Sequence, residues 1–271
     1  MNATLTFFGT GTSMGVPTLG CTCAVCTDAY TPGSPNRRTR ASALLRYNGH
    51  NVLIDTGQDF HVQAVRERLM RLDAVLYTHG HADHVLGMDD LRPLSFGKPQ
   101  GLPLYADDAT AQVIERIFDY TFRKVDRYPT SARVEMNRLS TELGTTLELF
   151  GATIERIPVT HGRNTIAGYR IGSCAYLTDM SDIPEPSRDR LQNLDILILD
   201  ALRREPHPSH AHLDKAVELV ELLKPRRAFF THISHDLDHN TVNAELPPHI
   251  QLAHDGLTLE FSLASFPAEA S

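Results

Sequence analysis

The fold can be read from the stretch Ala74-Val75-Leu76-Tyr77-Thr78-His79-Gly80-His81-Ala82-Asp83-His84. Its first half is a short, nearly continuous apolar run, the pattern of a strand buried on both faces. Its second half places four metal-competent side chains, His79, His81, Asp83 and His84, directly behind that strand. Imidazole nitrogen and carboxylate oxygen suit zinc and similar first-row ions. Gly80 and Ala82 keep the segment narrow, so the backbone can curl and aim several donors at one point. Burying such a cluster without a cation is costly, and a merely solvated loop would not need the strand that leads into it.

On either side of this stretch the same pattern recurs. Residues 4–8 read as a strand that stops at Gly9-Thr10-Gly11. Ser42–Tyr47 and residues 51–55 flank Asn48-Gly49, a hairpin signal because Asn-Gly favours positive φ. Residues 146–159 and 166–178 are strand-like, and residues 196–199 read as a buried strand ending at Asp200. Apolar spacing predicts helices over residues 108–122 and Leu213–Leu223, the latter stopped by Pro225. Arg227–Thr231 reads as the last of these strands and ends at His232. Asp55, His79, Asp179, Asp200 and His232 thus all sit where strands end, which is where functional groups gather in layered α/β proteins. Taken singly, His161 reads more readily as a surface or hydrogen-bonded histidine than as a ligand, Asp179 could simply cap a turn, and His232 could be a satisfied core histidine. Their common placement suggests one site assembled from distant segments.

Composition sets the bounds. The 271 residues are 41% hydrophobic, enough for a sizeable core, and the expectation is a single domain over 1–271. A net charge of −7 argues against a general nucleic-acid binder. It leaves room for a small anionic substrate, because a bound metal pair reverses the local field. There is no apolar run near the roughly 20 residues of a membrane helix, and the first residues lack a basic region followed by an apolar one, so a cytoplasmic protein is expected. No repeat or heptad pattern is present. Residues 123–140 are polar and irregular and read as a flexible insert.

Three of the four cysteines, Cys21, Cys23 and Cys26, lie within six residues. Such clustering favours metal over disulfide. His235, three residues after His232, would complete a tetrahedral Cys3His zinc site that ties loop 11–36 to the loop carrying His232. The bland alternative is three unpaired thiols.

The succession Asp55-Thr56-Gly57, His79-x-His81-x-Asp83-His84, His161, Asp179 and His232 resembles the five-motif signature of the metallo-β-lactamase superfamily. That resemblance implies a four-layer αββα sandwich with two divalent ions, zinc or manganese, at one edge. It implies that His79, His81 and His161 hold one ion, that Asp83, His84 and His232 hold the other, and that Asp179 bridges them. Asp55 would orient a ligand histidine through its outer nitrogen. The CxCxxC loop together with Thr231-His232-Ile233-Ser234-His235-Asp236 is similar to a narrower subfamily that includes the phosphoribosyl cyclic phosphodiesterase of the carbon–phosphorus lyase pathway. There the residues matching Cys21, Cys23, Cys26 and His235 hold a structural zinc.

The expected reaction is hydrolysis of a small phosphodiester, a cyclic ribosyl one included, by water activated between two ions. Asp83 would help orient that water. His210 matches the subfamily's proton donor in spacing, with His207 and His212 as close competitors and a histidine-rich surface loop as the bland reading. Arg37, Arg38 and Arg40 could meet an anionic substrate, or simply be solvated. Gly9-Thr10-Gly11-Thr12-Ser13-Met14-Gly15 lacks the Gly-Lys-Ser/Thr ending of a phosphate loop, and reads as a tight turn that lets backbone pass near the metal site. Three rivals remain: a tRNA 3′-processing-like nuclease, a β-lactamase or thioester hydrolase, and a non-hydrolytic metal-binding protein resembling that of pyrroloquinoline quinone synthesis. A homodimer is left open.

Overall fold

Neighbouring residues Phe7 and Phe8 define the layers of the molecule. The structure, a computed structural model, describes residues 2–264. Side chains alternate across a strand, so Phe7 faces inward and meets Phe229 with ring centroids 6.4 Å apart. Phe8 faces outward into a cluster with Phe60, Ala111 and Ile114.

In chain order the strands are β1 (Asn2–Gly9), β2 (Ser42–Tyr47), β3 (His50–Ile54), β4 (Ala74–Leu76), β5 (Leu102–Asp107), β6 (Val134–Leu139), β7 (Thr146–Leu149), β8 (Ala152–His161), β9 (Asn164–Ile171), β10 (Cys174–Leu177), β11 (Ile196–Asp200), β12 (Arg227–Thr231), β13 (Ile250–Leu252) and β14 (Thr258–Ser262). They form two seven-stranded sheets, ordered β14-β1-β2-β3-β4-β5-β6 and β13-β12-β11-β10-β9-β8-β7. The inner faces meet through Leu5, Phe7, Leu45, Ile54, Tyr169, Tyr176, Ile198 and Phe229. The outer face of the first sheet is covered by helices Phe60–Arg66 and Asp108–Ile117. That of the second is covered by helix Leu213–Leu223, whose Leu213, Ala216, Leu219 and Val220 pack onto Leu197 and Leu199. The result is the αββα sandwich that the sequence led us to expect. No helix among the described residues is long and apolar enough to cross a membrane.

The hairpin over Asn48-Gly49 forms, with φ of 48° and 76° at its two central residues. Helix Leu213–Leu223 and strand Arg227–Thr231 fall where the periodicity puts them. Three expectations are corrected. The stretches 146–159 and 166–178 are each two strands, because Phe150 and Gly151 in the first and Gly172 in the second take positive φ and turn the chain back. The helix expected over 108–122 breaks at Phe118, whose ψ of 40° leaves the helical region while its ring stays in the outer cluster. Residues 123–140 are not wholly an irregular insert: Val134–Leu139 is an edge strand, parallel to β5 over six residue pairs. Its alternation is weak because an edge strand keeps one side wet.

Two glycines matter for the site. A Cβ on Gly57 would lie 2.1 Å from the carbonyl oxygen of Asp83, so only glycine lets the Asp55-Thr56-Gly57 turn close onto the histidine loop. A Cβ on Gly9 would lie 2.0 Å from the carbonyl oxygen of Arg40. The glycine-rich turn therefore works by close packing: Gly11 bridges to both Arg40 and Ile233, beside His232.

Candidate active site

The site lies where strands of both sheets run out. β3 leads into Asp55, β4 into Thr78 and His79, β10 into Asp179, and β12 into His232, while β8 and β11 end on His161 and Asp200. Asp55, Asp179 and His232 take φ of 63°, 62° and 57°. That left-handed backbone is uncommon outside glycine, and Asp and His are among the types that enter it more readily. It costs about 1–3 kcal/mol per residue and persists where the surroundings over-determine it. Here it swings each side chain off the strand direction and into the space between the sheet ends.

The seven residues named from the sequence come together in two groups that share Asp179. One donor atom each from His79, His81, His161 and Asp179 lies within 4.8 Å of the others, as does one each from Asp83, His84, Asp179 and His232. Asp179 Oδ2 is 2.9 Å from His79 Nε2 and 3.1 Å from His84 Nε2, and Asp179 Oδ1 is 2.7 Å from His232 Nε2. Asp83 Oδ2 is 3.2 Å from His84 Nε2. All but His81 are buried.

The donor set fits divalent cations. Asp83 Oδ2, His84 Nε2, Asp179 Oδ1 and His232 Nε2 are buried and have no well-formed hydrogen-bond partner, yet all four face one another. Buried polar atoms are otherwise almost always paired, so a convergent set of orphans marks a place for an ion. The local field agrees. Burial opposes charge on His232, but the carboxylates of Asp179 and Asp200 outweigh it and raise the imidazole to about 10. Burial likewise opposes charge on His84, and Asp83, Asp55 and Asp179 lift it well above the usual range. The cluster of carboxylates calls for positive charge at its centre.

Outer contacts fix the rings. Asp55 Oδ2 lies 2.7 Å from His84 Nδ1, and the same carboxylate accepts from Thr78 N at 2.8 Å and Thr78 Oγ1 at 2.7 Å. His161 Nδ1 lies 2.9 Å from the carbonyl oxygen of Ser209. Each of these histidines thus spends Nδ1 outward and turns Nε2 toward the cluster.

Among the three competing histidines, His210 is the one brought to the cluster. Its ring stacks on His232 at 4.9 Å and 10° and meets His161 edge-on at 4.9 Å. His210 Nδ1 is 2.8 Å from Asp200 Oδ2 and 3.3 Å from Asp179 Oδ1. His207 reaches the ring of His210 and Ser209 but none of the cluster residues, and His212 caps helix Leu213–Leu223. The role of Asp200 was not assigned from the sequence. Its place at a strand end was the available signal; that it meets His210 required the fold.

Cys21, Cys23, Cys26 and His235 form a separate group, with the three sulfurs 3.2, 3.4 and 3.5 Å from His235 Nδ1. The N–H of Cys26 donates to the Cys23 sulfur and draws that thiol down to about 7, whereas burial pushes Cys26 up to about 11. The basic run is corrected. Arg38 is buried and donates to the carbonyls of Ser234 and Leu237 and to Asn36 Oδ1. Arg40 makes two 3.0 Å contacts to Asp59. Both are spent on structure, and only Arg37 stays exposed.

Comparison with known proteins places these features. Residues 50–233 match a family model described as the beta-lactamase superfamily domain. A solved structure described as a new diphosphatase from the PhnP family is 52% identical, with a TM-score of 0.88, covering 96% of this chain and 98% of that one. Zinc-bound PqqB from Methylobacterium extorquens is 21% identical with a TM-score of 0.73, covering 94% of this chain and 99% of that one, which bears on the fold alone. A curated protein of Porphyromonas gingivalis named octanoyltransferase is 36% identical over 252 residues, 92% of this chain but 50% of that protein. The chain spans about half the length, or less, of the curated relatives it matches first.

Proposed function

This chain belongs to the beta-lactamase superfamily domain family, in its PhnP-like branch, and on that footing we propose that it is a metal-dependent hydrolase of small phosphodiesters. The observation that carries the reading is the convergence of four buried, unpaired donor atoms, from Asp83, His84, Asp179 and His232, beside a histidine held by a carboxylate.

His79, His81 and His161 would hold one divalent ion, and Asp83, His84 and His232 the other, with Asp179 shared. Zinc or manganese suits this set of nitrogen and oxygen donors. When bound, such a pair supplies Lewis acidity and brings the pKa of water from about 15.7 towards 7. Cys21, Cys23, Cys26 and His235 would hold a structural zinc, four donors with no open position.

The rest falls to the chain's own groups. Asp55 fixes the ring of His84, and the Ser209 carbonyl fixes that of His161. Asp200 is fully buried, which pushes its carboxyl well above the ordinary range, while burial beside His232 brings His210 down to about 4. Both carboxylate contacts of His210 are made through Nδ1, so Nε2 is the nitrogen left for a substrate. Transfer of the Nε2 proton of the imidazolium to a leaving oxygen would leave a neutral ring, still held at Nδ1 by Asp200.

The test is metal analysis of protein purified without chelator, joined to a panel of bis-p-nitrophenyl phosphate, a cyclic ribosyl phosphodiester, a dinucleoside diphosphate and structured RNA under zinc, manganese and nickel. Hydrolysis of the small substrates is expected. Cleavage confined to RNA, with steep salt dependence, would favour the nuclease reading. Metal uptake with no hydrolysis of anything would favour the non-catalytic one.

A further inference from the structure

The one arginine of the basic run not spent on structure lines a cavity that the proposed chemistry leaves unused. The cavity measures about 620 Å³ and lies between loop 33–39, helix Phe60–Arg66, the start of helix His239–Glu245 and the turn at His254. None of the proposed metal ligands lines it. It is separated from them by the Thr10–Gly11 backbone: Thr10 donates to Asp255 on the cavity side, and its carbonyl accepts from Ile233, next to His232.

Its charge is one-sided. Asp255 is the single acid on the wall, and its oxygens are occupied by Thr10, Thr39 and Arg66. Arg66 is balanced by that carboxylate and by Glu67. Arg37 has no side-chain partner among the described residues and is exposed. Two imidazoles, His239 and His254, stand with ring centroids 5.8 Å apart. The proton of His239 can be located. Leu252 N–H donates to Asn243 Oδ1, which turns the Asn243 amide nitrogen toward His239 Nε2, so Nε2 accepts and Nδ1 carries the hydrogen. That Nδ1 is buried and has no acceptor. His254 donates Nδ1–H to the Asp255 carbonyl, leaving Nε2 unused. Val62 supplies an apolar wall.

A lone guanidinium and paired rings beside an apolar wall suit an anion attached to a ring. Guanidinium groups match phosphoryl oxygens in geometry, and the cavity lies in the size range of small-molecule sites, far more than inorganic phosphate alone would fill. We infer that this cavity is a second ligand site, separate from the metal cluster, for a phosphate monoester of mononucleotide size, with Arg37 meeting the phosphoryl group and the His239–His254 ring pair facing the remainder.

The experiment is a titration of the metal-loaded full chain with adenosine 5′-monophosphate, read by the histidine ring resonances of His239 and His254. Saturable shifts of both are expected, with adenosine much weaker. Arg37→Glu should weaken binding by about tenfold or more, as expected for loss of a charge-assisted contact, and Arg37→Lys by less. Turnover of bis-p-nitrophenyl phosphate by Arg37→Glu should be unchanged. The inference is overturned if both rings stay still up to about 10 mM ligand, or if Arg37→Glu binds as the parent does. It is equally overturned if Arg37→Glu loses turnover, because Arg37 would then belong to the hydrolytic site. The binding readout stands whether or not the chain hydrolyses phosphodiesters, so the two readings fail separately.

Discussion

The two donor clusters of this chain are built in opposite ways. The Asp179-centred group joins four side chains from the stretch behind β4, His79, His81, Asp83 and His84, to three from the ends of strands in the other sheet, and nearly all of it is buried. The Cys21-Cys23-Cys26-His235 group draws three donors from one six-residue stretch of loop, with Cys23 exposed. In the first, the sandwich positions the donors and bears the strain of three positive-φ residues. In the second, the donors would hold the loop once a zinc is bound. Around Cys26 the hydrophobic cluster holds only Val16 and Ala29 as further buried members, with Cys21 and Val25 packed against it. So small a core contributes little to ordering loop 11–36, which otherwise rests on hydrogen bonds such as those of Asn36 with Asp28 and Asp238. It follows that the first cluster should fail chemically when altered and the second should fail structurally.

Four substitutions put that contrast at risk, the most damaging first. Asp179→Asn keeps a residue that tolerates φ of 62° but removes the shared carboxylate. Phosphodiester turnover should fall by about 10³-fold or more, since several kcal/mol of stabilisation are at stake. Active-site metal content should fall with it while the fold, read by circular dichroism, is kept; retention of full metal content would remove Asp179 from its bridging place. His210→Ala should lower turnover by about 10²–10⁴-fold with metal content unchanged. Equal activity in the variant would return His210 to an ordinary loop histidine.

Asp55→Asn also suits its backbone, φ 63°, yet it weakens the contact to His84 Nδ1. A loss of about 10–100-fold in metal affinity or activity is expected, the usual cost of removing an orienting partner. A loss as deep as that of Asp179→Asn would show that Asp55 does more than orient. Cys23→Ser should have the least effect on turnover and the clearest one on the fold. Thermal melting should come down by several degrees and bound zinc by about one equivalent per chain. Unchanged zinc stoichiometry would count against the Cys3His site, and an intact melting temperature would erase the contrast between the clusters.

Much of the fold was legible because its period is short. The continuous apolar run of residues 196–199 reports burial directly, and Asn48-Gly49 announces its own turn. Val134–Leu139 was not legible: it is an edge strand placed by its pairing with β5, on the far side of the helices that separate the two in sequence. The same holds for the arginines. Arg37, Arg38 and Arg40 look alike in sequence, yet Arg38 is buried against the backbone of residues 234 and 237 and Arg40 is locked on Asp59. A charge on a loop has no signature for what it will face.

Local sequence settled which side chains stand at the ends of which strands, because strand period and turn chemistry act over a few residues. His79, His81, Asp83 and His84 had to emerge together behind β4, and Asp179 and His232 each behind a strand of its own. Which of these residues meet, and through which atoms, was left to the packed molecule. Packing selected His210 over His207 and His212, supplied Asp200 as its partner, and put the free Arg37 at a cavity away from the metal cluster. Such pairings join residues from about 10 to more than 200 positions apart, where only the seating of one sheet on the other fixes distance and direction.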